Sequence, residues 1–202
     1  MTRMTLNCKH KRLLQKNNFC SRPYFLSGKE AFHMDKQQSN DSALVLRCAE
    51  ESDIPVILWF IKGLAEYEKM SDQVVATEAL LKEWLFEKHK AEVLIAEYAG
   101  EPAGFSLFFH NFSTSSGRAG LYLEDLFVLP DKRGLGIGKA LLQKLAAIAV
   151  ERGCGRLEWC CLDWNQPSID FYRTMGAIPM SDWTIYRLAG ETLQAAAEGS
   201  TH

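Results

Sequence analysis

Residues 120–138 read GLYLEDLFVLPDKRGLGIG, and no other stretch restricts the fold of this chain as strongly. Leu121–Leu129 has the aromatic, β-branched and leucine content of a buried strand. Pro130-Asp131 stops it, and Arg133-Gly134-Leu135-Gly136-Ile137-Gly138 follows as a glycine-rich turn. From Lys139 a helical pattern sets in, with Leu141, Leu142, Leu145, Ile148 and Ala149 on one face and Gly153 as its stop. A strand that feeds a helix through such a turn is half of a layered α/β architecture. It is also a ready anion site: residues without side chains let the backbone approach a phosphate, and the helix's first N–H groups point at it.

Spacing decides which phosphate motif this is. A dinucleotide G-x-G-x-x-G fails, because Lys139 stands where the third glycine belongs after Gly134 and Gly136. A Walker A loop fails at Arg133, in place of its first glycine, and at Ala140, in place of Ser or Thr. R-x-x-G-x-G fits, through Arg133, Gly136 and Gly138.

Around this centre the pattern gives a first strand at 44–47 and a helix capped by Ser52 or Asp53, with Ile54, Ile57, Leu58 and Ile61 inward. Thr77 caps a second helix that turns Leu80, Leu81, Trp84 and Leu85 inward. Strands at 93–98 and 103–109 flank a hairpin at Ala99-Gly100-Glu101-Pro102, and 110–119 reads as a polar loop. After the central unit come a strand at 156–162, a short helix at 168–175 and a last strand at 184–188. The order is β-α-α-β-β-β-α-β-α-β, an α/β mixed sheet with helices on both faces.

The domain spans 43–190, with a basic segment before it and an alanine-rich tail at 191–202. Residues 1–42 carry a net +5, leaving −7 for the rest, a balance that disfavours nucleic acid as a partner. The basic segment suits a disordered tail, a transit-like segment over 1–33 or a late true start at Met34; otherwise the chain reads as cytoplasmic. No apolar run reaches the ~18 residues of a membrane span. The six cysteines lack C-x-x-C spacing, so no metal site is expected, and Cys160-Cys161 reads as a reduced pair within a strand.

Asn165, Ser168, Phe171, Tyr172, Gly176 and Ala177 complete a second pattern, N-x-x-[SA]-x-x-[FL]-Y followed by G-[FA]. Together with R-x-x-G-x-G it resembles the GCN5-related N-acetyltransferases (GNAT). LYLEDLFV at 121–128, WNQPSIDFY at 164–172 and AEYE at 65–68 are most similar to the diamine (spermidine/spermine) and thialysine acetyltransferases. The resemblance implies the acyl-CoA N-acyltransferase fold, a homodimer, acetyl-CoA as donor, and direct transfer to a small primary amine in a ternary complex. It places the pyrophosphate on Arg133, Gly134, Leu135, Gly136, Ile137, Gly138 and Lys139. The pantetheine arm falls to Leu126, Phe127 and Val128, with Asn165 and Ser168 from the other side.

An alkylammonium, with a reference pKa near 10.4, must lose a proton before it attacks. Glu124 is expected as the base and Tyr172 as the acid for the leaving thiolate. Strand alternation sends Asp125 to the face opposite Glu124 unless a bulge intervenes. Tyr67 and Glu68 match the amine site, as a ring face and an anion. The polyamine enzymes carry an acid in the loop before the central strand, where this chain has none and has Arg118, which leaves shorter diamines and thialysine-like amino acids open. A protein N-acetyltransferase and a non-catalytic CoA-binding domain are the alternative readings.

Overall fold

The alternation and the helical periodicity become five strands and five helices in a computed structural model, which describes residues 43–199. The basic segment 1–42 and the residues after 199 lie outside the described residues. Strand β1 (Leu44–Cys48) leads through a short 3₁₀ turn into α1 (Ile54–Tyr67), and α2 (Glu78–Leu81) continues as a π-helical stretch, Lys82–Glu87. Then come β2 (Glu92–Tyr98), β3 (Glu101–Ser113), β4 (Arg118–Val128), α3 (Ile137–Glu151), β5 (Leu157–Trp159), α4 (Gln166–Thr174) and α5 (Gly190–Ala197).

The described residues divide into two compact units, 43–160 and 161–199. The first holds the sheet, in the order β1-β2-β3-β4-β5. Every pairing is antiparallel except β4 with β5, which α3 joins in parallel. One face of the sheet carries Ile95, Phe105 and Phe127, packed under Ile54, Ile57 and Phe60 of α1 and under Leu81 and Leu85. Phe60 stacks on Phe105 at 5.4 Å and meets Phe127 edge-on at 6.3 Å. Burying each such side chain contributes about 1.5–3 kcal/mol. The other face lies under α3, whose Leu141, Leu142 and Leu145 are buried as the periodicity requires.

Four expectations are corrected. The polar loop at 110–119 is mostly strand: β3 and β4 pair out to Ser113 opposite Arg118, and the turn shrinks to 114–117. Polar side chains there are partly satisfied: Asn111 Nδ2 donates to Glu158 at 3.0 Å, while its buried Oδ1 finds no partner among the described residues. Asp53 does not cap α1 through its side chain; it pairs with Arg47 at 2.6 Å and accepts from the Glu50 N–H at 2.7 Å. Leu80 and Trp84 are exposed, since only the i, i+4 pair Leu81 and Leu85 meets the sheet. The expected last strand at 184–188 is irregular chain without a ladder partner, and helix α5 forms in the alanine-rich segment that follows it. Ile185, Tyr186 and Leu188 are all exposed, so the β-prone composition there gains no burial to hold a strand in place.

Candidate active site

The glycine turn takes the form its sequence demands. Gly134 and Gly136 both sit at φ +80°, a region that costs other residues about 1–2 kcal/mol, and a Cβ at either would meet no atom within 4 Å. Gly136 is the N-cap of α3, so the first amides of a 15-residue helix face this open bend. Arg133, Leu135 and Lys139 are exposed around it, while Ile137 is buried and ties the turn to the core.

Strand β4 leads into the turn and parts from its parallel neighbour before reaching it. Pairing with β5 covers Leu121, Tyr122 and Leu123, opposite Leu157, Glu158 and Trp159, and stops there. Residues 124–128 therefore have no ladder partner on that side, which leaves this edge of β4 open to another occupant except at the Val128 carbonyl, which accepts from Arg133 Nε.

On its other side β4 pairs with β3 through a bulge. Asp125 lies opposite Leu107 and Leu123 opposite Phe108, which leaves Glu124 as the extra residue. Phe108 is on the α3 side, where the Arg152 guanidinium lies 5.8 Å from its ring, so Leu123 shares that side. Simple alternation would return Asp125 to the α3 side as well. The bulge instead sets it beside Leu107, on the face packed by α1. Asp125 is half-buried and Glu124 exposed.

The end of α1 supplies the facing wall. Tyr67 is its last residue and Glu68 its C-cap, and the Met70 N–H closes the helix on the Ala65 carbonyl. Burial raises the Glu68 carboxyl above its ordinary value. Asp125 is pushed up to about 7, first by burial and then by the charges of Glu124 and Glu68. The Tyr67 ring, expected as a face for a substrate cation, has the Arg133 guanidinium 4.5 Å from its centroid. Arg133 Nε also donates to the Val128 carbonyl at 3.2 Å, so one side chain links the glycine turn, the end of β4 and the end of α1.

In the second unit, Asn165 is buried and caps α4, its Oδ1 accepting from the Ser168 N–H at 3.4 Å. Tyr172 lies on α4 with its ring 5.3 Å from that of Phe171. Cys154, Cys160 and Cys161 are outside any disulfide, with Cys160 Sγ 3.0 Å from the Tyr122 hydroxyl and Cys161 Sγ donating to the Leu162 carbonyl at 3.6 Å, whereas Cys48 is disulfide-bonded. Among the described residues no group of His, Cys, Asp and Glu could hold a metal ion, and no helix is long and apolar enough to cross a membrane. A surface cavity of about 360 Å³, lined by Glu51, Pro55, Glu78 and Lys82, lies at the start of α1, the opposite end from Tyr67.

The model of the acetyltransferase (GNAT) family matches residues 58–177. The chain belongs to the GNAT acetyltransferase family. It is 38% identical over 168 residues to a thialysine N-epsilon-acetyltransferase of Sus scrofa, covering 77% of this chain and 98% of that one. It is 32% identical over 196 residues to an L-ornithine N5-acetyltransferase of Arabidopsis thaliana, covering 74% and 86%. Among solved structures, an integron cassette protein of V. cholerae superposes with a TM-score of 0.66 at 26% identity, covering 77% of this chain and 98% of that one.

GNAT enzymes take the acetyl group from acetyl-CoA, and the residues of this chain fit that donor. The bend at Gly134 and Gly136 is unobstructed, it opens on the amino end of α3, and the unpaired edge of β4 leads away from it. The sequence sets Asp125 on the face opposite Glu124 unless a bulge intervenes, and a bulge is present. The signal that finds it is the register between β3 and β4, which no local pattern contains.

Proposed function

We propose that this GNAT enzyme acetylates a small primary amine, a thialysine-like amino acid, a diamine or a polyamine, by direct transfer in a ternary complex. The observation that carries the reading is the gathering of three carboxylates, Glu68, Glu124 and Asp125, where the end of α1 faces the bulge of β4. An ammonium group is attracted to such a place, and a carboxylate there can take its proton. The relatives named for thialysine and ornithine support the same class.

The amides of residues 133–139 hold the donor's diphosphate, with Arg133 and Lys139 adding charge. Leu126, Phe127 and Val128 offer main-chain groups to its arm. Asn165 fixes the start of α4, so that Ser168 and Tyr172 stand at set positions along that helix. Bound acetyl-CoA supplies an activated thioester. Tyr172 protonates the sulfur as it leaves. The exposed apolar side chains Ile178, Met180, Trp183, Ile185, Tyr186 and Leu188 support a homodimer, since soluble monomers rarely expose so large an apolar run.

The test is thiol release from acetyl-CoA with thialysine, ornithine, putrescine, spermidine and a lysine-containing peptide. Small amines are expected to turn over faster than the peptide, and Tyr172→Phe to lower kcat by about 10²-fold or more with CoA affinity unchanged. A peptide outrunning every small amine would overturn the proposal.

A further inference from the structure

We propose that Asp125, and not Glu124, is the group that takes the proton from the substrate ammonium. The inference rests on the amine-acetylation reading above and assigns the base within it. Three features of the geometry carry it. The bulge at Glu124 turns Asp125 to the α1 face, where Glu68 stands. Asp125 is half-buried, with no cation or hydrogen-bond donor on its carboxylate among the described residues, while Glu124 is exposed. Both lie on the part of β4 that β5 leaves unpaired, the edge along which the donor's arm runs in the proposed complex.

The groups that face Asp125 are Glu124 on its own strand and Glu68 from α1; Leu107 across on β3 and Phe127 on the same face carry no charge. Burial and two like charges raise its proton affinity into the neutral range, to about 7, where a general base works best. Glu124 then serves as the outer anion that holds the ammonium. One ammonium proton passes to Asp125 and on to solvent. The second leaves the nitrogen as the C–N bond forms and the C–S bond breaks, and makes up the proton that Tyr172 gives to sulfur.

Wild type, Asp125→Asn, Asp125→Glu and Glu124→Gln are compared for thiol release across pH, with CoA affinity measured by calorimetry. Asp125→Asn is expected to lose about 10²–10⁴-fold in kcat and the rise of rate through neutral pH, at unchanged CoA affinity. Asp125→Glu recovers part of the rate. Glu124→Gln raises KM and keeps the rise, moved to lower pH because one like charge is gone. A rise that survives in Asp125→Asn, or one that only Glu124→Gln abolishes, overturns the assignment. Carbon-detected NMR titration of the Asp125 carboxyl in the wild type needs no turnover. A midpoint near 7 that falls in Glu124→Gln is expected; a midpoint in the ordinary aspartate range overturns the assignment. If no small amine reacts while that midpoint stands near 7, the substrate reading fails and the proton site remains.

Discussion

Among single residues, Asp125 ties function to stability. In the folded chain its carboxyl keeps a proton up to about pH 7, whereas an unfolded aspartate releases it near pH ~4. Between those values the folded state binds more protons, so this group's contribution makes stability fall as pH rises through the window and level off above it. Asp125→Asn removes that slope. Its melting temperature is expected to exceed that of the wild type at about pH 8 and to differ little near pH ~4. Parallel melting curves for the two proteins across pH would contradict the burial argument. A carboxylate that lowers stability at working pH is what a buried base requires.

Among the helices and strands, the position of α1 on β4 sets where Glu68 meets Asp125. Gly63 lets the helix approach: a Cβ there would lie 3.1 Å from Cε1 and Cζ of Phe127. Gly63→Val is expected to cost about 1–3 kcal/mol through overpacking and to raise KM for the amine with CoA affinity unchanged. Denaturant unfolding and steady-state kinetics check both, and no change in either would show that the gap accommodates the larger side chain. The elements differ in how far their sequences reveal them. Helix α3 and the glycine turn are local: periodicity, a stop and positive-φ glycines suffice. The length of β3 and β4 is not local, because polar residues such as Asn111 join a strand only when a partner such as Glu158 is at hand. The run at 184–188 has strand composition but no partner strand, so composition alone misleads there.

For the molecule as a whole, the exposed apolar run in the second unit belongs to an interface in the proposed homodimer. Light scattering after size exclusion is expected to give twice the chain mass of 22.8 kDa, and Ile185→Ser with Tyr186→Ser to shift the protein toward monomer. A wild-type monomer at high concentration would remove that reading. The family and the donor turn could be read from the residues in their linear order, because R-x-x-G-x-G and the Asn165–Tyr172 pattern are contiguous and their chemistry lies in the backbone conformation they impose. Which carboxylate shares a face with Glu68, and what covers the Tyr67 ring, emerged only once the chain was folded. Both depend on strand register and on packing between residues far apart in the chain, and a one-residue bulge exchanges the two faces without leaving a mark on local composition.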